Sequence, residues 1–121
     1  MKVLYGEKFR QHLKNFPKAD LLKILAFVNH VEQHGLIGLV GRNKSSDQVP
    51  TNHPNWLERV MYAKKYNLWH YHIGIPCYVG DAGDMTSEYV LHYMLGDDQI
   101  VLVDLSAHPP LVLPSEAYLQ T

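Results

Sequence analysis

The chain has 121 residues, of which 46% are hydrophobic, 11% aromatic and 19% charged. This length and composition suit one folded domain with its own hydrophobic core, and they exclude a disordered or low-complexity chain. The formal net charge is −1. The overall charge therefore gives no support for nucleic-acid binding, and any such partner has to meet a local basic patch.

Cysteine content and hydropathy indicate the compartment. The single cysteine, Cys77, excludes an intramolecular disulfide and fits a reducing cytoplasm. The N-terminus has no apolar run of signal-peptide length, and no segment approaches the ~20 apolar residues of a membrane span. The sequence therefore predicts a cytoplasmic protein with no membrane partner.

The N-terminus is predicted to form a strand and a first short helix. Residues 2–5 are apolar-rich, which favours a strand that joins a later sheet at its edge or in its middle. Phe9, Leu13 and Phe16 follow helical spacing. Pro17 then breaks or restarts the helix, because proline cannot continue a helical hydrogen-bond ladder.

The clearest helix is predicted over residues 18–34, with Gly35 as its stop signal. Its apolar residues recur at intervals of three and four, which is typical of a helix that packs one face on a core. These residues are Leu21, Leu22, Leu25, Val28 and Val31.

A polar loop and a short helix are predicted next. Residues 36–55 are rich in Gly, Pro, Ser and Asn, a composition that predicts a loop. Arg42 and Lys44 lie in this loop, where simple solvation competes with a phosphate contact. Asn55 is predicted to cap the helix, with Glu58 three residues later in a capping-box-like position.

Three later stretches alternate apolar and polar side chains, as strands do when one face is buried. These stretches are residues 66–75, 87–95 and 99–108. A tight turn over residues 96–99 makes the last two an antiparallel hairpin. Pro76 ends the first strand, and Pro109 with Pro110 ends the third. Residues 111–121 are predicted to pack as a short strand or a helical turn.

The alternation predicts two different faces for this sheet. One face is predicted to be apolar and to bury Trp69, Tyr71, Tyr93, Val101, Val103 and Leu105. The other face is predicted to carry His70, His72, His92, Asp104, Ser106 and His108. The fold class is therefore α+β, a single domain over residues 1–121 whose N-terminal strand and helices pack on one face of an antiparallel sheet.

With this order of elements the chain resembles the RelE/ParE superfamily of bacterial toxins, and within it the YafO-like mRNA interferases. Glu58-Arg-Val followed by His70-Tyr-His72-Ile is similar to the Glu-Arg-Val and His-Ile-His segment of the YafO-like proteins. Residues 89–103 are similar to the aromatic, turn and aliphatic hairpin that closes many RelE-like chains. The resemblance covers residues 2–108. One departure is charge, since RelE-like toxins are usually basic and this chain is nearly neutral.

The resemblance implies a toxin that cleaves mRNA, commonly within the ribosomal A site, without a metal or other cofactor, and that a cognate antitoxin holds in check. Cleavage needs a base for the 2′-hydroxyl, an acid for the leaving 5′-oxygen and a cation for the phosphorane. Histidine suits both proton transfers.

The candidate catalytic residues are His70, His72, His92, His108 and Lys64, and which histidine is the acid and which the base stays open. The candidate RNA-binding residues are Arg59, Lys65, Arg42, Lys44 and Tyr66, with Tyr118 as a second aromatic that could stack on a base.

Two other functions stay open. His70 and His72 place two imidazoles on one strand face, and His92 or Asp104 would complete a three-ligand metal set. A non-catalytic, ParE-like partner-binding domain is the other alternative. It is motivated by the near-neutral charge, because an RNA-cleaving surface gains affinity by neutralising phosphates. Basic residues clustered on one edge would favour RNA cleavage, and scattered ones would favour partner binding.

Overall fold

The computed structural model describes all 121 residues and confirms the predicted α+β fold class. Three helices pack against a five-stranded mixed sheet. The elements are β1 (Lys2–Tyr5), α1 (Glu7–Leu13), α2 (Lys18–His34), β2 (Asn43–Ser45), α3 (Trp56–Lys65), β3 (Leu68–Ile75), β4 (Tyr89–Leu95), β5 (Gln99–Ala107) and a 3₁₀ turn (Glu116–Leu119). None of the helices combines the length and apolar character that a bilayer crossing requires.

The strand order across the sheet is β1-β5-β4-β3-β2. β3, β4 and β5 pair antiparallel with their neighbours in sequence, as predicted. β1 lies at one edge and runs parallel to β5, so the sheet is mixed and not wholly antiparallel as predicted. β2 forms the other edge, antiparallel to β3, inside a region that was predicted to be entirely loop. Its sequence, Asn-Lys-Ser, has little strand propensity of its own, and pairing with β3 overrides that preference.

Helices α1 and α2 cover one face of the sheet. The limits predicted for α2 are confirmed. Leu22 and Leu25, predicted among its packing residues, are instead 56% and 48% exposed. The helix face that packs on the sheet is therefore rotated about the helix axis from the predicted one. Phe27 lies on the packed face, and its ring stacks on the Tyr71 ring with the ring centroids 4.8 Å apart. The residues that α2 buries are Ile24, Phe27, Val28 and Val31.

Helix α3 covers part of the opposite face, where a second apolar cluster forms. Val101 and Val103 belong to this cluster, although they were predicted to face α2. The cause is a β-bulge: β4 and β5 shift register between His92 and Tyr93, and one extra residue of β5 reverses the alternation there. Beyond the bulge, Leu105 packs as predicted with the larger apolar cluster under α2, which contains Phe27 and Tyr71. The second cluster consists of Ala63, Leu68, Val101, Val103 and Leu119.

The remaining boundaries agree with prediction to within two residues, apart from one helix cap. The β4–β5 turn lies where it was predicted, Pro76 follows the end of β3, and the tail adopts the helical turn. Asn55 precedes α3, but its side chain makes no capping hydrogen bond, so no capping box forms. The reason lies in its backbone, with φ −114° and ψ 29°, outside the extended region that a capping residue uses.

Gly41 approaches the backbone of β3 so closely that a larger residue does not fit. A Cβ atom on this residue would lie 2.0 Å from the carbonyl oxygen of His72 and 2.9 Å from the Tyr78 hydroxyl. We expect Gly41→Ala to lower the free energy of unfolding by about 1–3 kcal/mol or more, since the strand must move to relieve the clash. Urea denaturation measures this loss. Val40→Ala, at the half-exposed neighbouring position, is the control and should change stability by less than about 0.5 kcal/mol. An unchanged Gly41→Ala protein would contradict the close packing.

Candidate functional site

Three histidines meet at one end of the sheet, on the face opposite α2. His70 and His72 come from β3, whose alternation puts them on one face, and His108 directly follows β5. The antiparallel pairing places the end of β5 beside the end of β3, with β4 between them. One ring nitrogen from each of these histidines lies within 4.8 Å of the corresponding nitrogens of the other two. We call His70, His72 and His108 the histidine cluster.

Hydrogen bonds orient two of the three rings. His70 Nδ1 lies 2.9 Å from the Ser46 hydroxyl. His72 Nδ1 lies 3.0 Å from both the carbonyl oxygen and the backbone nitrogen of Ser87, so its tautomer decides which of these it bonds. A bulge after His72 brings Ser87 to this position, and the Gly74 N–H donates to the Ser87 hydroxyl at 3.1 Å. The Nε2 atoms of His70 and His72 are left free of protein partners. His108 Nδ1 is buried and makes no hydrogen bond.

Burial holds the cluster in its neutral form. Desolvation, reinforced by the neighbouring histidines, lowers the pKa of His70 to about 4. Burial also lowers the pKa of His72, although its hydrogen bond to Ser87 opposes this shift in part. The pKa of His108 is lowered by burial first and by His72 second. At pH 7 each imidazole therefore carries a free lone pair that can accept a proton or bind a metal.

The cluster lines a cleft of about 390 Å³ with an excess of positive charge. Arg42, Lys44 and Arg59 contribute basic side chains, and no aspartate or glutamate lines the cleft. Lys44 of β2 is paired directly with His70 of β3, which puts both side chains on the same face. A cleft of this composition favours an anionic ligand.

Two contacts position the basic residues. The Arg59 guanidinium donates to the Leu111 carbonyl oxygen at 3.1 Å and so ties α3 to the chain that follows β5. Arg42 forms a two-pronged ion pair with the exposed carboxylate of Asp84, at 2.7 and 3.0 Å. Since Asp84 offsets the charge of Arg42, the net positive charge of the cleft comes mainly from Lys44 and Arg59.

A second cavity, of about 670 Å³, adjoins the cleft. Both cavities are lined by Arg42, His72 and His108. Since they share these residues, the two cavities lie side by side along the histidine cluster, and we call them together the groove. The second cavity is also lined by one acidic residue, Glu88. Such a groove can hold an extended ligand whose reacting bond lies at the cluster.

The structure brings six of the predicted site residues into the cleft and leaves four outside it. Those in the cleft are His70, His72, His108, Arg42, Lys44 and Arg59. His92, a predicted catalytic residue, is fully buried, and its Nε2 lies 2.7 Å from the Ser106 hydroxyl. It does not line the cleft and so is not placed to contact a ligand there.

Lys64, Lys65 and Tyr66 also lie away from the cleft, at the C-terminal end of α3. At 1.5 Å of rise per residue, Lys64 and Lys65 are about 8–9 Å further along the helix than Arg59. Lys65 instead sits over the Tyr66 ring, 5.2 Å from its centroid. Tyr118 packs against the His12 ring of α1 and lines neither the cleft nor the cavity beside it.

Several site residues were not singled out from the sequence. His53 and Gln48 line the cleft from the loop before α3, and Ser46 and Ser87 orient the cluster. His53, Gln48 and Ser46 lie in a segment without periodicity, so no sequence signal identified them. Ser87 begins the alternating stretch 87–95, but its contact with His72 depends on a bulge that no local pattern marks. The third member of a metal set was predicted to be His92 or Asp104. The fold supplies His108 instead.

These features define a small α+β domain with a basic, histidine-lined cleft. No protein-family model, curated protein or solved structure matches the chain. Its membership of the RelE/ParE superfamily therefore stays a prediction from the sequence motifs.

Proposed function

We propose that this chain is the RNA-cleaving toxin of a toxin–antitoxin system. The observation that carries the proposal is the cleft, in which basic side chains surround neutral histidines. No aspartate or glutamate lines it, and Asp84, which pairs with Arg42, lies outside its lining. A phosphodiester anion would use both features, the charge for binding and the imidazoles for proton transfer. The groove past the cluster suits a strand longer than one nucleotide.

The proposed reaction transfers phosphorus from the 5′-oxygen to the 2′-oxygen of the preceding ribose. A neutral imidazole of the histidine cluster takes the 2′-hydroxyl proton, and the 2′-oxygen attacks phosphorus. Lys44 and Arg59 stabilise the charge of the phosphorane. A bound phosphate raises the pKa of an adjacent imidazole, so a second histidine can carry the proton that the 5′-oxygen receives as its bond to phosphorus breaks. The products are a 2′,3′-cyclic phosphate and a 5′-hydroxyl end.

The local charge of the cleft supports RNA cleavage although the whole chain is nearly neutral. Three of the five basic residues at issue, Arg42, Lys44 and Arg59, line one cleft, while Lys64 and Lys65 lie outside it. This partial clustering favours RNA cleavage over the ParE-like, non-catalytic alternative. Message on the ribosome is the proposed substrate, and a cognate antitoxin is the proposed partner. Both follow from the YafO-like motifs.

The proposal is tested by in vitro translation of a defined message with the purified protein and excess chelator. Primer extension is expected to reveal new 5′ ends that carry a hydroxyl. The double variant Lys44→Ala/Arg59→Ala should cleave about 10²-fold more slowly or worse, because it removes the charges that stabilise the phosphorane. The matched control Lys64→Ala/Lys65→Ala removes two charges outside the cleft and should cleave at nearly the wild-type rate. Intact message with unimpaired translation would overturn the proposal.

A further inference from the structure

The histidine cluster has the donor set of a metal centre. Two histidines separated by one residue on a strand, joined by a third from another segment, give three nitrogen ligands on one side of a site. Zinc sites with three histidines keep the fourth coordination position open. No cysteine or carboxylate joins this group, and a set of three imidazoles favours zinc and its first-row neighbours over magnesium or calcium, which prefer oxygen ligands.

The distances within the cluster are close to those of a zinc site. With Zn–N bonds of about 2.0–2.1 Å, tetrahedral ligands lie about 3.4 Å from one another. The ligand atoms of the cluster lie within 4.8 Å of one another, so a ring movement of about 1–2 Å completes the geometry. The His108 ring can supply this movement because the residue is only half-buried and its Nδ1 makes no hydrogen bond, although its backbone N–H donates to the Glu88 carbonyl oxygen at 2.7 Å.

The surroundings of the rings are those of metal-binding histidines. A histidine ligand usually uses its second ring nitrogen for a hydrogen bond that fixes its orientation and tautomer. Ser46 fills this role for His70, and the Ser87 backbone fills it for His72. Both contacts are made by Nδ1 and leave Nε2 for the ion. Burial favours the neutral imidazole in all three residues, which is the form that binds metal.

We propose that His70, His72 and His108 together bind one divalent transition-metal ion, with zinc as the best fit and an open fourth position facing the basic cleft. This proposal goes beyond RNA cleavage and does not depend on it. The ion would occupy the imidazole lone pairs that the proposed cleavage uses as a base. Bound zinc is therefore expected to suppress cleavage, and chelation is expected to restore it.

The first test measures zinc binding by isothermal titration of chelator-treated, dialysed protein. One zinc ion per chain is expected. His72→Ala and His108→Ala should each weaken binding by about 10²-fold or more, because each removes one of three ligands. The half-buried position of His108 makes its variant the safer one for folding, and thermal unfolding checks both. Substitution by cobalt should give the visible absorption bands of a tetrahedral ion in the wild type alone.

Two controls separate this site from other histidines. His12→Ala changes a histidine of α1 that packs against Tyr118 and lines neither the cleft nor the cavity beside it, and it should bind zinc as the wild type does. His30 and His34 form a second pair on α2, with ring centroids 5.2 Å apart. Loss of zinc binding in His34→Ala, with binding retained in His72→Ala and His108→Ala, would overturn the proposed site. So would the absence of stoichiometric binding.

Zinc binding and RNA cleavage are measured separately, so the two proposals can fail independently. Stoichiometric zinc with no cleavage by the metal-free protein would support the site and overturn the proposed function. Cleavage in chelator with no zinc binding would support the proposed function and overturn the metal site. Cleavage that requires added zinc would support the site and overturn both zinc inhibition and metal-independent chemistry.

Discussion

Replacing His108 with alanine is expected to lower the rate of RNA cleavage in chelator by about 10²–10⁴-fold, the usual contribution of a general acid or base. His108 contacts both cavities of the groove and lies in the same cluster as His70 and His72. Its Nδ1 makes no hydrogen bond. Removal of the ring therefore breaks no hydrogen bond at that nitrogen. The loss should therefore reflect chemistry rather than unfolding. Single-turnover cleavage of a defined RNA measures it.

The control for His108→Ala is His34→Ala, at the exposed end of α2. This variant removes an imidazole from the opposite side of the sheet and should cleave at the wild-type rate. Thermal unfolding of both variants establishes that they are folded at the assay temperature. A His108→Ala protein with full activity would exclude His108 as acid or base and would move the reaction away from the cluster.

Acid is expected to destabilise the metal-free protein strongly. In the unfolded chain an imidazole has a pKa of about 6.5. In the folded protein, burial lowers the pKa of His92 to about 3 and that of His70 to about 4. Below pH 6.5 the unfolded chain therefore binds more protons than the folded one. The stability that depends on these neutral rings is complete above pH 6.5 and is lost as the pH falls toward 3.

The two shifts together amount to about 6 pKa units, so the expected loss in the free energy of unfolding is on the order of 8 kcal/mol between pH 6.5 and pH 3, since one pKa unit corresponds to about 1.4 kcal/mol. Repulsion from His70 and then His108 adds to the effect of burial on His92. Asp104, paired with His92 across the sheet, has the opposite effect on stability in acid. Burial raises the pKa of Asp104 in the folded protein, so on acidification the folded protein protonates this carboxylate at a higher pH than the unfolded chain does. This difference recovers part of the lost stability.

Urea denaturation in chelator at a series of pH values measures this dependence. His92→Gln should flatten the curve, because it removes the most buried imidazole. Val103→Ala is the matched control on the same face of the sheet. It should lower stability by about 1–3 kcal/mol at every pH and leave the slope unchanged. Stability that stays constant down to pH 4 would contradict the buried, neutral state of these rings.

The local pattern of the sequence determined most of the secondary structure. Intervals of three and four residues, with Gly35 as a stop, located α2. Alternation and Pro76 located β3, and alternation with the 96–99 turn located the hairpin of β4 and β5. These signals are short-range, because each helix or strand shows one periodic face to the core. The same alternation placed His70 and His72 on one face before any tertiary contact was known.

Only the tertiary structure decided which side chains meet. The bulge between β4 and β5 turned Val101 and Val103 toward α3, and no local pattern marks that extra residue. The same is true of the site. His92 follows the same alternation as His70 but lies under the covered part of the sheet, whereas His108, after the last strand, reaches the cluster. The sequence determined the types of chemical group available. The strand pairing and the register shifts, which depend on contacts between distant residues, determined which of those groups form a site.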